Sequence, residues 1–243
     1  MSSNVTRFFT LEGCFNFRDA GGYATTDGGR VRWRRLFRAG GPYGLTERDV
    51  VAVERLAIST VIDLRTDDEA ERGRYTAPAM HHLPMTDVLP TDAELESWTD
   101  PIVVGERYFE MASSAARMIA DALTVLADPA APPVLVHCSA GKDRTGILVA
   151  IVLGLLQVGD DDIVGDYALS APAMRDLLAW LERTAPDARE QVVRKAPAIL
   201  AAEPEAMRHF IARMRDEHGS FEGYAEAIGV ESVAPYLRDA LVE

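Results

Sequence analysis

The sequence predicts an α/β fold, with a central, mostly parallel sheet flanked by helices and an α-rich C-terminal extension over roughly 160–243. Three observations carry this. Short runs of strand length with an apolar, β-branched-rich centre recur at Ser59–Leu64 and Pro133–His137, the kind of run that a buried strand requires. Helical apolar stripes lie between and after them, the alternation that builds α/β layers. The last third has helical stripes punctuated by Pro172, Pro186, Pro197 and Pro204, without strand-like runs.

The elements follow in order. Residues 12–40 read as β-structure with tight turns, because Gly21-Gly22 and Asp27-Gly28-Gly29 punctuate the short runs Val31-Arg32-Trp33 and Leu36-Phe37-Arg38. Thr46 reads as an N-cap, followed by a helical stripe of Val50, Val53, Leu56 and Ala57. Ser59–Leu64 is a buried strand, and the charged stretch Asp67–Arg74 leads to a short strand at His81–Met85. The acidic, proline-containing segment Thr86–Pro101, within a connection reaching residue 105, is placed either as a lid or as an insertion. Arg107–Leu126 reads as one helix, closed off by Pro129, Pro132 and Pro133. A strand at Pro133–His137, a loop from Cys138 to Arg144 and an apolar helix from Thr145 to Leu156 follow, with Gly159 ending that helix. No repeat or linker divides the chain, so residues 1–243 are expected to form one domain.

Bulk properties narrow the function classes. With 243 residues, 48% hydrophobic, the chain is long enough to bury a substantial core. Its 25 Lys and Arg against 38 Asp and Glu give a net charge of −13, which repels nucleic acid and anionic membrane surfaces at long range. An anionic ligand therefore needs a local pocket of positive potential. Only two cysteines are present, Cys14 and Cys138; with no signal-peptide-like start and no apolar run of membrane-spanning length, the expectation is a cytoplasmic protein with reduced thiols and no integral membrane segment. Cys14 reads as an inert core cysteine.

The loop His137-Cys138-Ser139-Ala140-Gly141-Lys142-Asp143-Arg144-Thr145-Gly146 concentrates the chemistry. A loop between a buried strand and a helix N-terminus turns successive N–H groups inward and adds the positive end of the helix dipole, a nest for a phosphate dianion. Cys138 sits where that nest stabilises a thiolate, making it a nucleophile near neutral pH. Arg144 is placed to make a bidentate contact to phosphoryl oxygens. Gly141 allows the tight turn without intruding on the ligand, and Thr145 is placed to donate its hydroxyl to the departing thiolate. His137 is expected to hold the loop through hydrogen bonds. Lys142 reads equally as a second cation at the pocket mouth or as a solvated lysine. A nucleotide-binding P-loop is excluded, since Gly-x-x-x-x-Gly-Lys-Ser/Thr is absent. His81-His82 alternates across a strand and cannot readily chelate one ion, so neither metal nor cofactor is expected.

His137–Gly146 resembles the signature loop of the protein tyrosine phosphatase superfamily. Its Gly141–Gly146 portion resembles an atypical bacterial subclass whose members act on phosphotyrosine and in some cases on phosphoserine, phosphothreonine or phosphoinositides. Asn16-Phe17-Arg18-Asp19-Ala20-Gly21-Gly22-Tyr23, Arg38-Ala39-Gly40, Asp63-Leu64-Arg65 and the tail from Gly219 to Leu241 fit the same layout, so the resemblance spans nearly the whole chain. It implies a two-step, metal-independent hydrolysis through a cysteinyl-phosphate on Cys138, with residues 138–144 binding the phosphate. Asp143 is the general acid by analogy with the subclass, and Asp63, at the end of a neighbouring strand, ranks with it; Asp87, on the possible lid, ranks behind. Arg18 and Asp19 are expected to form a buried ion pair that supports the fold or the loop. The expected substrate is a phosphorylated protein, most often at tyrosine, with a phosphorylated metabolite as the alternative and a catalytically inactive phosphate-binding module as the third reading.

Overall fold

A computed structural model describes residues 6–85, 100–195 and 201–243. The strands are β1 (Arg18–Asp19), β2 (Leu36–Ala39), β3 (Thr60–Asp63), β4 (Ala79–His82) and β5 (Val134–His137). They form one sheet in the order β1-β2-β5-β3-β4, in which only the β1–β2 pair is antiparallel. The expected mostly parallel sheet is therefore present, and β5, the strand that leads into the Cys138 loop, lies at its centre. Register brings Ala39, His137 and Asp63 side by side at the carboxyl ends of β2, β5 and β3. In open parallel sheets that edge is where ligands bind.

Side-chain alternation divides the core in two. Leu36, Ile62, Leu64, Val134 and Val136 face a large cluster that runs from Ala20 to Leu241 and includes Cys138. Phe37, Ala39, Val61 and Leu135 face a smaller cluster with Cys14, Phe17, Leu56 and Tyr75. Helix α1 (Glu47–Glu54) and the single turn α2 (Asp67–Ala70) both begin with capping boxes, Thr46 with Asp49 and Thr66 with Glu69. Helices α3 (Pro101–Ser114), α4 (Ala116–Ala127) and α5 (Asp143–Leu155) pack in the larger layer, and α5 is buried nearly all round, as its uniformly apolar sequence demands. The C-terminal part adds α6 (Asp160–Ala168), α7 (Ser170–Thr184), α8 (Pro186–Lys195), α9 (Pro204–His218), α10 (Phe221–Ala227) and α11 (Val233–Leu241). Of these, α9 packs against α3 and α6, and α11 packs against α4.

Several expectations need correction. Arg107–Leu126 is two helices, because Ala115 leaves helical geometry (φ −93°, ψ 15°) after the Ser113 and Ser114 hydroxyls donate to the Phe109 and Met111 carbonyls. The α1 stripe is weak: Val50 is 43% exposed, Leu56 is buried, and Ala57 lies beyond the helix with φ 52°. Strand β4 begins two residues before the expected His81. Leu156 caps α5 and Gly159 is the N-cap of α6 instead of the end of α5. Pro186 and Pro204 start helices, and Pro172 sits in the first turn of α7, where a missing N–H costs little. Of Val31-Arg32-Trp33, Val31 makes only an isolated bridge to Val242. Residues 86–99 of the expected lid, and Pro197, lie outside the described residues.

The α3–α9 crossing depends on Gly105, where an added Cβ would stand 2.5 Å from the Ala206 carbonyl oxygen and 2.7 Å from the His209 Cβ. Backbone cannot yield as a side chain does, so Gly105→Ala is expected to destabilise the fold by about 1–3 kcal/mol. Urea unfolding monitored by circular dichroism checks this; an unchanged midpoint would contradict the close approach.

Candidate active site

The loop leaves β5 at Cys138, which is 2% exposed, and enters α5 at Asp143. Its carbonyl groups are turned away from its concave side and tied to the scaffold. Ser139 O accepts from Gly41 N (2.9 Å), Ala140 O from Asn16 Nδ2 (3.2 Å), and Gly141 O from both Asn16 Nδ2 (2.8 Å) and Arg38 Nη2 (2.9 Å). By contrast, among the described residues the backbone N–H groups of Ser139, Ala140, Gly141, Asp143, Arg144 and Thr145 have no protein acceptor. Consecutive unpaired donors at the N-terminus of a 13-residue helix form the nest expected from the sequence. The left-handed φ of 67° at Gly141 is the tight turn the sequence requires of a glycine, and packing adds a second constraint, since a Cβ there would meet the Ala39 backbone at 2.4 Å.

The donors that hold the loop are themselves organised by one buried carboxylate. Asp166, on α6, pairs with Arg38 Nη1 (2.5 Å) and Arg18 Nε (3.4 Å), and its Oδ1 accepts from the Tyr23 hydroxyl (3.1 Å). Arg18 also donates to the Asn16 side-chain oxygen, which leaves the Asn16 amide N–H groups for the loop. Burial raises the Asp166 pKa, but the two arginines outweigh it and hold the carboxyl down to about 2. Arg18 and Asp19 do not pair with each other. Neighbours in a strand point to opposite faces, so Arg18 turns to Asp166 while Asp19 accepts from Gly21 N (2.8 Å) and Arg34 N (2.7 Å) and does not touch the loop.

Arg144 reaches across the loop to Glu69, which accepts from Nη1 (2.6 Å) and Nη2 (2.8 Å) and also from the Ser139 hydroxyl. Glu69 was not singled out in the sequence; its signal was the Thr66-x-x-Glu69 capping box, which places this carboxylate on a fixed turn. Burial opposes its charge, yet Arg144 and Ser139 hold its pKa at about 2. Tyr43 is a second unanticipated neighbour: the Arg65 guanidinium stands 5.9 Å from its ring centroid.

The acid candidates separate. Asp63 is gripped by Arg65, Nε to Oδ1 at 2.9 Å and Nη2 to Oδ2 at 2.7 Å, with a further bond from the Arg65 N–H. Burial raises its pKa, but Arg65 and His137 outweigh that, so the carboxyl stays ionised. Asp143 is 21% exposed in its side chain and lies in the loop beside the donors. Asp87 lies outside the described residues. Lys142 is neither a mouth cation nor solvated: it is 1% exposed, and its Nζ donates to Ala201 O (2.9 Å) and lies 3.3 Å from Asp143 Oδ1. His137 makes a long contact to Cys138 O (3.4 Å), lies 3.6 Å from Asp63 Oδ2 through Nε2, and packs edge-on to Tyr75 with centroids 4.9 Å apart. The Thr145 hydroxyl is fully buried without a hydrogen bond. Cys14 bonds Tyr75 Oη and Gly40 O, and burial pushes its thiol up to about 12, which keeps it protonated and inert. Among the described residues no cluster of His, Cys, Asp or Glu could hold a metal, and no helix is long and apolar enough to cross a membrane.

Two predictions follow from these contacts. Burial lowers the His137 pKa from 6.5 to about 4. Between those values the unfolded chain binds a proton that the folded chain does not, so stability falls as pH falls through that window, by about 1.4 kcal/mol per unit. Denaturant titrations at pH 7.5, 6 and 5 check this, and His137→Gln should flatten the dependence. Glu69→Gln removes the charge that orients Arg144, and kcat/KM for an aryl phosphate is expected to drop about tenfold or more, since small misplacements of a catalytic group have large effects.

Comparisons with known proteins place the chain in a family. Residues 9–243 match the tyrosine phosphatase family. The triple specificity protein phosphatase PtpB of Mycobacterium tuberculosis is 30% identical over 263 aligned positions, covering 90% of this chain and 93% of that protein. A tyrosine-protein phosphatase of Nostoc commune is 29% identical, covering 76% of this chain and 66% of its own. Among solved structures, the core catalytic domain of the yeast PP-IP phosphatase Siw14 aligns with a TM-score of 0.37 at 19% identity, over 68% of this chain and 90% of its own. A family match over residues 9–243, with a relative 30% identical over 90% of this chain, has one reading: the chain belongs to the tyrosine phosphatase family and is a cysteine-dependent phosphatase.

Proposed function

We propose that the protein hydrolyses phosphate monoesters through a cysteinyl-phosphate on Cys138, with phosphotyrosine in proteins as the main substrate and phosphoserine, phosphothreonine or phosphoinositides also accepted. The observation that carries the reading is the set of backbone N–H donors on Ser139, Ala140, Gly141, Asp143, Arg144 and Thr145, without a protein acceptor among the described residues, around a buried cysteine. The breadth of substrate is supported by the relative named for triple specificity, which aligns with this chain over 93% of its length. The helical C-terminal part shares one hydrophobic cluster with the sheet, which supports treating residues 1–243 as one phosphatase domain. A thiolate nucleophile functions only where thiols stay reduced, in keeping with a cytoplasmic site of action.

In the first step the Cys138 thiolate attacks phosphorus in line, a sulfur–phosphorus bond forms, and the ester phosphorus–oxygen bond breaks. Asp143 gives its proton to the leaving oxygen. In the second step Asp143, now a carboxylate, takes a proton from water as that water attacks phosphorus, and the thiolate departs with inorganic phosphate as product. The loop N–H groups and Arg144 stabilise the charge on the equatorial oxygens, and the otherwise unpaired Thr145 hydroxyl donates to the departing thiolate. Asp63 is unsuited to acid catalysis, because both of its oxygens accept from Arg65.

Hydrolysis of an aryl phosphate in buffer with chelator and reductant tests this. Wild type should turn over, Cys138→Ser should be inactive, and Arg144→Lys should lose about a hundredfold or more, because a point charge cannot replace the planar fork. Turnover by Cys138→Ser equal to wild type would refute the mechanism.

A further inference from the structure

Behind the loop, two buried tyrosines form a hydroxyl chain that ends on one oxygen of Asp143. Tyr108, on α3, donates its hydroxyl to Asp143 Oδ1, and its oxygen lies 2.8 Å from the Tyr167 hydroxyl on α6. Both side chains are fully buried, and their rings meet edge to face with centroids 5.9 Å apart. The direction of the chain is determined by proton count. Tyr108 has one hydroxyl proton and gives it to Asp143, so Tyr167 must be the donor to Tyr108. Burial and the neighbouring carboxylate push the Tyr108 hydroxyl well above its ordinary pKa, which keeps it a donor throughout the working range. Lys142 Nζ lies 3.3 Å from the same Oδ1. Among the described residues, both of these contacts to Asp143 fall on Oδ1.

We propose that Tyr108, backed by Tyr167, is a positioning residue for acid–base catalysis: it anchors Asp143 Oδ1 so that Oδ2 carries the proton exchanged with the leaving group and then with water. This rests on the reading of Asp143 as the general acid. Neither tyrosine touches substrate. A carboxyl group anchored through one oxygen keeps a single rotamer at the rim of the loop, and the donors it accepts from are rigid because α3 and α6 are held by the same core. Adjacent polar side chains without such an anchor would lose the orientation on which proton transfer depends.

The test separates acid catalysis from loss of structure by varying the leaving group. kcat/KM is measured for phenyl phosphate, whose leaving group needs a proton, and dinitrophenyl phosphate, whose leaving group does not. Asp143→Asn should lose about a hundredfold or more on the first and far less on the second. Tyr108→Phe keeps the ring and is expected to show the same pattern at about tenfold and under twofold, with Tyr167→Phe following it more weakly. Unfolding midpoints of all three variants establish that they are folded. If Asp143→Asn is selective for phenyl phosphate while Tyr108→Phe loses equally on both substrates, or on neither, the positioning role is wrong and the acid assignment stands. If Asp143→Asn shows no selectivity, the acid assignment fails and the inference fails with it.

Discussion

The site depends on a buried ionic cluster, Asp166 with Arg38 and Arg18, that never meets the substrate. Peptide groups in a tight loop are free to turn either edge inward, and a loop that presented carbonyls would repel a phosphate dianion. Arg38 and Asn16 remove that freedom by holding the carbonyls of Ala140 and Gly141 on the outer side. Asp166 in turn holds Arg38, and through Arg18 it holds Asn16. Removing a charge from such a cluster leaves its partners buried and uncompensated, which costs several kcal/mol. The cluster also contains one more cation than anion. In a chain of net charge −13 that local excess, with Arg144 and the α5 dipole, supplies the positive potential an anionic ligand needs.

The three parallel strand ends divide the remaining work. β5 delivers Cys138, the end of β2 provides the backbone against which Gly141 packs, and the turn after β3 brings Glu69 to Arg144. Arg144 is therefore positioned from outside the loop, by an acidic partner on a capped turn, while the N–H groups are positioned from behind it. Asp143 is reached from a third direction, by Tyr108 on α3. Each of these groups is thus held by a different element of the same core, which is how a loop of seven residues keeps a single geometry.

Much of this was legible in the sequence, for identifiable reasons. The Cys138–Arg144 loop was readable because its context, an apolar strand before and an apolar helix after, is local. Thr46 was readable as a cap for the same reason. The partners were not, because Glu69 meets Arg144 and Asp166 meets Arg38 and Arg18 only after the chain returns from distant positions. Adjacency was misleading for Arg18 and Asp19, which a strand sends to opposite faces. Lys142 looks like a surface residue by type, yet the chain before α9 covers it and accepts its Nζ at Ala201. The Arg107–Leu126 stripe hid its break because Ala115 is itself a good helix former; the interruption comes from the two serines before it.

The most direct test of this account is the affinity of the loop for tungstate, a tetrahedral dianion, measured by calorimetry on wild type and Arg38→Met. Methionine fills much of the volume of Arg38, and Asp166 keeps Arg18 as a partner, so the fold should persist, as an unchanged circular dichroism spectrum would show. Loss of a charge-assisted hydrogen bond to the loop carbonyl is expected to weaken tungstate binding about tenfold or more. Equal affinity in a folded Arg38→Met would show that the loop keeps its N–H groups inward without the buried cluster, and the central claim would fall.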